Sequence, residues 1–460
     1  MQTILRCLSL LALGPLAVSQ AQPVTDETAT DETRIAVYRE FRQRFDAGDY
    51  QAALPIAENL VSLTQKQFGD ADRALVNPLA NVGTTQLKLA NHAAAEASYL
   101  RAVELLERSA SNTDRLFIAP LHGLGATYLA AKRPGNAVTP LKRAVDLSRN
   151  LDGLYNDRQL PIVRQLIDAY VATGNLADAE KEHNYAYAVA ETSFGNNDPR
   201  MLDAHERLAG WYDFVGRYSS ARSLYERSLA LIDRLGKRTD LRKVAPLRGI
   251  ARTYQLEFLY GAEKTEEALD AFGRPVTPFA NLQAGRMQDR GERALEFALQ
   301  IITTNEPVDH RLHGETLADL GDWRLVSGAT DAAKLQYGKA WEALTLAGDT
   351  TLLQAPRQLA YRPSPLTVGR SRLDPAEATE QPLELRFSVT SEGRVRGVTA
   401  TPTELSDSIV RSVSTALGRA RYAPRIENGV AVDTDNVALI ERVLVRNPPP
   451  QADQSASQQD

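Results

Sequence analysis

The stretch LAGWYDFVGRYSSARSLYERS, residues 208–228, consists of two helix-forming segments with a glycine between them. In the second segment Ala221, Tyr225 and Ser228 follow one another at spacings of four and three, so they share one face of a helix. Gly216 can end the first helix in the left-handed conformation. The stretch therefore predicts a helix hairpin. One hairpin cannot bury its apolar face alone, so it needs neighbours of the same kind.

The chain contains such neighbours at a fixed period. The same pattern recurs around alanines that are 42 residues apart: Ala53, Ala95, Ala137, Ala179 and Ala221. Seven residues after each alanine comes another small or apolar residue, and four residues after it comes a larger one in four of the five copies. Copies that stack in register bury a continuous core. The period predicts a mostly α protein with an α-α superhelical solenoid over residues 34–348.

These positions resemble the tetratricopeptide repeat (TPR), in the long-helix variant of kinesin-light-chain-type repeats. The residues that match its signature are Leu79, Val82 and Gly83; Leu121, Leu124, Gly125 and Tyr128; and Leu208, Ala209 and Tyr212. Five copies reach residue 236, and Ala333, Tyr337 and Ala340 indicate a further copy at about 310–346. The 112 residues from Ala221 to Ala333 are no multiple of 42. We therefore expect residues 240–302 to be degenerate or to hold an insertion, with a loop at 273–285.

The resemblance implies a binding groove lined by the first helix of each hairpin. The positions that correspond to the groove of that family are Asn77, Thr84, His122, Arg164, Asp168, Asp203, Glu206 and Asp213. Proteins or peptides are the partners that it implies. The alternative is that these residues belong to ordinary solvated helix faces.

The composition changes after residue 348. Prolines mark residues 349–382 as a linker. Residues 383–390 alternate apolar and polar, which predicts a half-buried strand, and residues 395–400 predict a second one. A helix with one apolar face follows, then an extended segment with Pro424, an Asn428-Gly429 turn and a last strand at 437–445. The predicted order is β-β-α-β-β over residues 383–446, a small α+β domain.

This order resembles the C-terminal domain of the TonB family. The motif residues that carry the resemblance are Gly393, Arg421, Tyr422, Pro424 and Gly429. Domains of that family pair an exposed strand with an extended peptide of a partner, which is β-augmentation. The candidate edge is the last strand, with Val437, Leu439, Val443 and Val445. An ordinary buried strand or a self-paired dimer edge is the alternative. The resemblance also implies a second function: an energy-transducing or transport-accessory component that acts on outer-membrane transporters.

Residues 1–21 read as a cleavable signal peptide. Arg6 precedes the apolar run Leu8–Val18, and Ser19 and Ala21 are the small residues before a cut at Gln22. Eleven apolar residues fall short of the roughly 20 that span a bilayer. We therefore expect a periplasmic protein without a membrane span, or an inner-membrane anchor if the signal stays uncleaved. Residues 22–33 and the tail 447–460 are expected to be disordered.

The sequence offers little catalytic chemistry. Net charge is -5 and no segment is strongly basic, so nucleic acid is not an expected partner. Asp309, His310 and His313 could ligate a metal, but histidines three residues apart at the start of a helix are more often surface residues. No phosphate loop, nucleophile elbow or zinc-protease motif occurs. We expect an interaction or scaffold protein in the periplasm, neither enzyme nor metalloprotein, without a cofactor, bound to envelope or outer-membrane proteins. Its oligomeric state stays open.

Overall fold

The structure is a computed structural model that describes residues 26–109, 111–236, 238–261, 280–364, 366–367 and 378–447. It forms two compact units, one that ends at Glu182 and one that begins at His183. No helix of the described ranges is both long and apolar enough to cross a membrane. The predicted signal peptide and all but the first residue of the predicted tail lie outside these ranges.

The first unit consists of antiparallel helix hairpins. Its helices are α1 Asp26–Asp46, α2 Tyr50–Phe68, α3 Val76–Lys88, α4 His92–Ser109, α5 Ile118–Ala130, α6 Pro134–Asp152 and α7 Leu160–Ala172, followed by the first residues of α8 Leu176–Phe194. The helix α1 begins at Asp26, so residues 26–33 are helical and the prediction of a disordered lead is wrong for them. Contacts of Gln67 on α2 with Asp31 and Arg34 hold this helix, and local sequence does not reveal them.

The second unit continues the hairpins and adds strands. Its helices are the rest of α8, then α9 Met201–Phe214, α10 Tyr218–Leu235, α11 Val244–Tyr260, α12 Ala280–Thr304, α13 His310–Val326 and α14 Thr330–Leu346. The region predicted to be degenerate or inserted therefore contains α11 and α12, which pack against each other as a further hairpin. Of the predicted loop 273–285, residues 280–285 belong to α12 and the rest lies outside the described residues.

The small residues of the repeat have the packing role that the sequence predicts. The six alanines at the repeat position, including Ala333, are fully buried. Glycines on first helices lie against large side chains of second helices: a Cβ on Gly321 would be 2.6 Å from the Tyr337 ring, and one on Gly125 would be 2.3 Å from Leu141. Helix backbones approach this closely only where the side chain is a hydrogen, so the hairpins depend on these glycines.

A series of Asp and Asn residues with the same period precedes the first helices. Asp72, Asp114, Asp198 and Asp240 accept hydrogen bonds from the backbone N–H two residues later, and Asn156 has the equivalent place in the sequence. In this way each of the four aspartates satisfies a backbone N–H that has no partner at the start of a first helix. The spacing of 42 continues to Asp240, so α11 is in register with the earlier first helices.

The C-terminal strands have the element order that the sequence predicts, with additions. The strands and helix are β1 Arg357–Ala360, β2 Ala378–Val389, β3 Val395–Ala400, α15 Asp407–Gly418, β4 Arg421–Ala423, β5 Arg425–Glu427, β6 Val430–Val432 and β7 Thr434–Arg446. The antiparallel sheet has the order β3-β2-β7, while β1 pairs with β4 and β5 pairs with β6. Residues 357–360 and 378–382 were predicted to be linker, but they are strands. Their partners β4 and β7 lie far along the chain, so the local sequence does not indicate the pairing.

The stretch with Pro424 and Asn428-Gly429 covers the last hairpin. Ala423 and Ile426 are buried in one cluster with Leu317, Tyr337 and Ala340 of α13 and α14. The sheet and α15 have their own core, which includes Phe387, Leu417 and Tyr422. A stack of repeats exposes the apolar face of its last member unless something covers it. Strands β4, β5 and β6 provide that cover.

Candidate functional site

The face formed by the first helices of the second unit contains a pocket of about 560 Å³. Helices α9, α11 and α13 line it together with residues of α10, α12 and β1. Its volume lies within the range of about 300–1,000 Å³ that is usual for ligand sites. Glu206, one of the predicted groove residues, lines this pocket.

Four arginines line the pocket and each is paired with a carboxylate, Arg242 with Asp240 at 2.6 Å. Arg248 Nε lies 2.5 Å from Asp319 and its Nη1 lies 3.1 Å from Glu315. Arg252 Nη2 lies 2.7 Å from Asp213, whose other hydrogen-bond donor is the Tyr225 hydroxyl at 3.2 Å. Together with the pair between Arg357 and Asp322, these contacts give the wall fixed charges of both signs.

Burial shifts the titration of these groups. Burial raises the pKa of Asp213, and the nearby Arg252 acts in the opposite direction. Burial likewise raises the pKa of Asp322 to about 6 and that of Tyr225 to about 12. Desolvation disfavours a charged carboxylate, and the arginine partners offset this effect in part.

Two donors of the pocket lack acceptors. Trp323 Nε1 and Gln255 Nε2 are buried, and no acceptor from the described residues is within hydrogen-bond distance of either atom. Both residues line the pocket. Buried donors are normally paired, since leaving one unpaired costs about 1–3 kcal/mol.

The predicted groove residues divide between the two units. In the first unit Thr84 accepts or donates a hydrogen bond of 2.8 Å with the Tyr99 hydroxyl, so it takes part in packing. Burial lowers the pKa of His122. Asn77 and Asp168 are exposed, and Arg164 is half-buried. In the second unit Asp203 is exposed and paired with Arg207, whereas Asp213 forms the buried contacts described above.

Sequence reasoning did not find Arg248, Arg252, Gln255 and Arg357. The first three lie on α11, beyond the last repeat that the alanine spacing revealed. The series of Asp and Asn residues at spacings of 42, which continues to Asp240, indicates that α11 is the first helix of a further repeat. Arg357 offers no such signal, because it follows the helical region and reaches the pocket only through the fold.

The motif residues of the C-terminal part lie together. Tyr422 N donates to Gly393 O at 3.1 Å, and the Tyr422 hydroxyl donates to Gln358 Oε1 at 3.2 Å. Gly393 and Gly429 have positive φ angles of 71° and 80°. Pro424 is buried and joins β4 to β5, while Arg421 is half-buried. The tight turn at Gly393 therefore packs directly on the strand that contains Tyr422.

The candidate edge strand is partly covered. Val443 is bridged on its second side by Thr367, and Leu444 N donates to Leu366 O at 3.0 Å. Val443 is buried in the sheet core, and Val437, Leu439 and Val445 are half-buried against it, so these side chains offer little surface to a partner. The outer face of β7 carries Ile440 instead, which is 65% exposed. Within the described ranges, Val437 and Leu439 pair only with β2.

One of the candidate metal ligands, Asp309, has another role. The Asp309 carboxylate accepts the backbone N–H of Leu312 at 2.9 Å and so caps α13. His310 is exposed and His313 is half-buried, and burial lowers the pKa of His313. No cluster of three or more potential metal ligands occurs in the part of the chain that the structure describes.

A family model of the tetratricopeptide repeat matches residues 160–234 of this chain. The match supports TPR repeats in the helical part, as the 42-residue period predicts. Repeats of this kind suggest a protein–protein interaction scaffold. No curated protein matches the chain.

Three of the solved structures to which parts of this chain are similar are the following. A Podosopora anserina protein described as a kinesin light chain with nearly identical TPR-like repeats is 16% identical, with a TM-score of 0.39 over 50% of this chain and 94% of that one. A STAND ATPase with a TPR sensor from Pyrococcus horikoshii is 12% identical, with a TM-score of 0.48 over 69% and 43%. The apo quorum sensor NprR from B. thuringiensis is 13% identical, with a TM-score of 0.38 over 68% and 77%.

Proposed function

We propose that this chain is a protein-binding scaffold whose second unit holds an extended peptide segment of a partner. The carrying observation is the pocket on the first-helix face, which is lined by polar side chains such as Gln255 and by arginines that carboxylates hold in place. An extended peptide offers a carbonyl acceptor at every residue. The paired arginines add fixed positions for polar contacts, so the pocket selects its ligand by hydrogen bonding and shape more than by net charge.

A site-specific photo-cross-linker tests this proposal in the full-length chain. It is placed at Gln255, which lines the pocket, and in a matched variant at Ser223, which is exposed on α10. Partner protein from the native cell should be captured at position 255 and not at 223. The captured protein is then divided into overlapping synthetic peptides, and fluorescence anisotropy measures their binding. We expect one peptide to retain most of the affinity. Equal capture at both positions, or binding by no peptide, would exclude the proposal.

We also propose that the protein acts in the periplasm and that its C-terminal strands form a TonB-like module. The order of β2, β3, α15 and β7 supports the resemblance, as does the packing of Gly393 on Tyr422. In this proposal the part of β7 around Val437 and Leu439, which pairs only with β2 among the described residues, pairs with an extended segment of an envelope protein. The sequence of residues 1–21 supports export. Action as an energy transducer on outer-membrane transporters is the alternative, which an uncleaved anchor would favour.

Cell fractionation with N-terminal sequencing separates these possibilities. A periplasmic protein that begins at Gln22 agrees with the scaffold. Intact Met1 in the inner-membrane fraction would favour the transducer. A cross-linker at Ile440, on the exposed face of β7, tests the strand proposal, with Arg396 on the other edge strand as the control position. Capture at both positions alike would contradict strand pairing at β7.

A further inference from the structure

A second cavity, of about 830 Å³, is lined by four arginines. Arg411 and Arg419 come from α15 and the residue after it, Arg421 from β4, and Arg362 from the segment after β1. We call it the arginine cleft. It shares no lining residue with the first-helix pocket, and its walls also include Tyr260 of α11.

The helix α15 turns a polar stripe toward this cleft. Ser408, Arg411, Ser412, Thr415 and Arg419 all line it, and they recur at spacings of three and four along the helix. The opposite face of α15, with Val413 and Leu417, is buried in the core of the sheet. The stripe is therefore held in one orientation by the packing of the helix.

The positive charges of the cleft lack strong counter-charges. No carboxylate lines it among the residues that the structure describes. Arg411 lies 4.0 Å from Asp407, but both side chains are mostly exposed, so this pair contributes little. Arg362 donates to the carbonyl of Leu259, at the end of α11. By contrast, the arginines of the first-helix pocket each have a carboxylate partner. A cleft lined by one sign of charge focuses its field and attracts ligands of the opposite sign.

We propose that the arginine cleft binds an acidic peptide segment of a protein partner, in an extended conformation, with carboxylates on Arg411 and Arg419. This second site goes beyond the peptide binding proposed for the first-helix face. Arginine is well suited to it, since the guanidinium fork matches a carboxylate in bidentate geometry. The hydroxyls of Ser408 and Ser412 can bond with the backbone of the peptide, and the Tyr260 ring provides an apolar wall.

The spacing of the arginines favours an extended chain as the occupant. Arg411 and Arg419 are eight residues apart, which is about 12 Å along a helical axis. An extended peptide covers that distance in about four residues, and side chains four apart point to the same side. Acidic residues at positions i and i+4 therefore match the two arginines. A single phosphate is too small to reach both, and a flat membrane surface does not enter a cleft.

The experiment measures fluorescence anisotropy of labelled decapeptides with the full-length protein at low ionic strength. The test set has two glutamates that are three, four or five positions apart, and the controls have glutamines in their place. We expect binding of the glutamate peptides alone, tightest at a spacing of four, and weaker binding as salt screens the charges. The double variant Arg411→Glu/Arg419→Glu should weaken it at least tenfold. The double variant Arg411→Gln/Arg419→Gln removes the two charges without reversing them, so it should weaken peptide binding less. Binding that remains in this variant shows that the fold is intact.

A matched control carries the same charge change outside the cleft. Arg396→Glu lies on the exposed edge strand β3 and should leave the affinity unchanged. Equal loss in this variant, or no binding by any glutamate peptide, would overturn the proposal. Displacement of the peptide by millimolar inorganic phosphate, or cosedimentation with phosphatidylglycerol vesicles that depends on Arg411 and Arg419, would assign the cleft to a phosphate or a membrane instead. Variants of Gln255 and Arg252, which change the first-helix pocket, should not affect binding of the glutamate peptides. A failure of the arginine-cleft proposal can therefore be told apart from a failure of the first-helix proposal.

Discussion

Arg357 Nη2 lies 2.9 Å and 3.0 Å from the two carboxylate oxygens of Asp322. Asp322 belongs to α13 of the last hairpin, and Arg357 is the first residue of β1. The Tyr337 hydroxyl donates to the same carboxylate at 2.8 Å. The Asp322 side chain is 9% exposed and that of Arg357 is 29% exposed. This contact therefore fastens the C-terminal strands to the helical repeats through a buried charge.

The titration of Asp322 should be visible in the pH dependence of the free energy of unfolding. Its pKa is about 6 in the folded protein, above its ordinary value of 3.8, so the folded state binds the proton more tightly. The contribution to stability is complete below pH 3.8 and is lost as the pH rises through 6. Between pH 7 and pH 5 the free energy of unfolding should thus rise by about 1 kcal/mol relative to Asp322→Asn, which does not titrate.

Urea denaturation followed by tryptophan fluorescence measures this difference. All three tryptophans, Trp211, Trp323 and Trp341, belong to the second unit, so the signal reports its unfolding. Subtracting the Asp322→Asn curve removes the titration of the other carboxylates. Parallel pH profiles of the two proteins would show that Asp322 titrates as it does in the unfolded chain.

Removal of the Arg357 side chain should destabilise the fold unless Asp322 is also neutralised. The variant Arg357→Met leaves a buried carboxylate without its cation, and we expect a loss of about 3 kcal/mol at pH 8. The loss should shrink toward pH 5, because Asp322 takes up a proton. The double variant Asp322→Asn/Arg357→Met should recover most of it. Additive effects in this double-mutant cycle would mean that the two residues do not interact.

Two glycine-to-alanine changes should have opposite signs. Gly321→Ala places a methyl group 2.6 Å from the ring of the fully buried Tyr337, so overpacking should destabilise the second unit by about 1–3 kcal/mol. Gly210 lies within α9 with no atom within 4 Å of its Cβ position. Gly210→Ala should stabilise by about 0.5–1 kcal/mol through helix propensity alone. Thermal denaturation with fluorescence detection compares them, and a lower midpoint for Gly210→Ala would contradict this account.

Tyr422 should matter for packing more than for its hydroxyl. Tyr422→Phe removes one half-buried hydrogen bond to Gln358 and should cost about 1 kcal/mol. Tyr422→Ala also removes the ring, which lies 5.5 Å from that of Phe387, and should cost about 3–5 kcal/mol. Both are measured by urea denaturation of the full-length chain. Equal losses would place the main contribution in the hydroxyl.

The repeats were predictable because their signal is local and periodic. The six buried alanines, and glycines such as Gly125 and Gly321 that lie against Leu141 and Tyr337, follow from the close approach of two helices, which only small residues permit. Apolar alternation likewise located β2 and β3, and Asn428-Gly429 located the hairpin of β5 and β6. The hairpin of α11 and α12 was not predicted, because residues 261–279 separate the two helices and no alanine of α12 falls at a multiple of 42 from Ala221.

The sequence by itself determined the helix hairpins, their period and the order of the C-terminal elements. Each helix or strand follows from the pattern of its own residues, and the period follows from the repetition of that pattern along the chain. Only the tertiary structure decided that the predicted linker contains β1, that β1 pairs with β4, and that Arg357 contacts Asp322. It also decided which charges are balanced, as in the first-helix pocket, and which are not, as in the arginine cleft. Pairing of charges depends on distances between residues far apart in the chain, and spacing along the sequence does not record those distances.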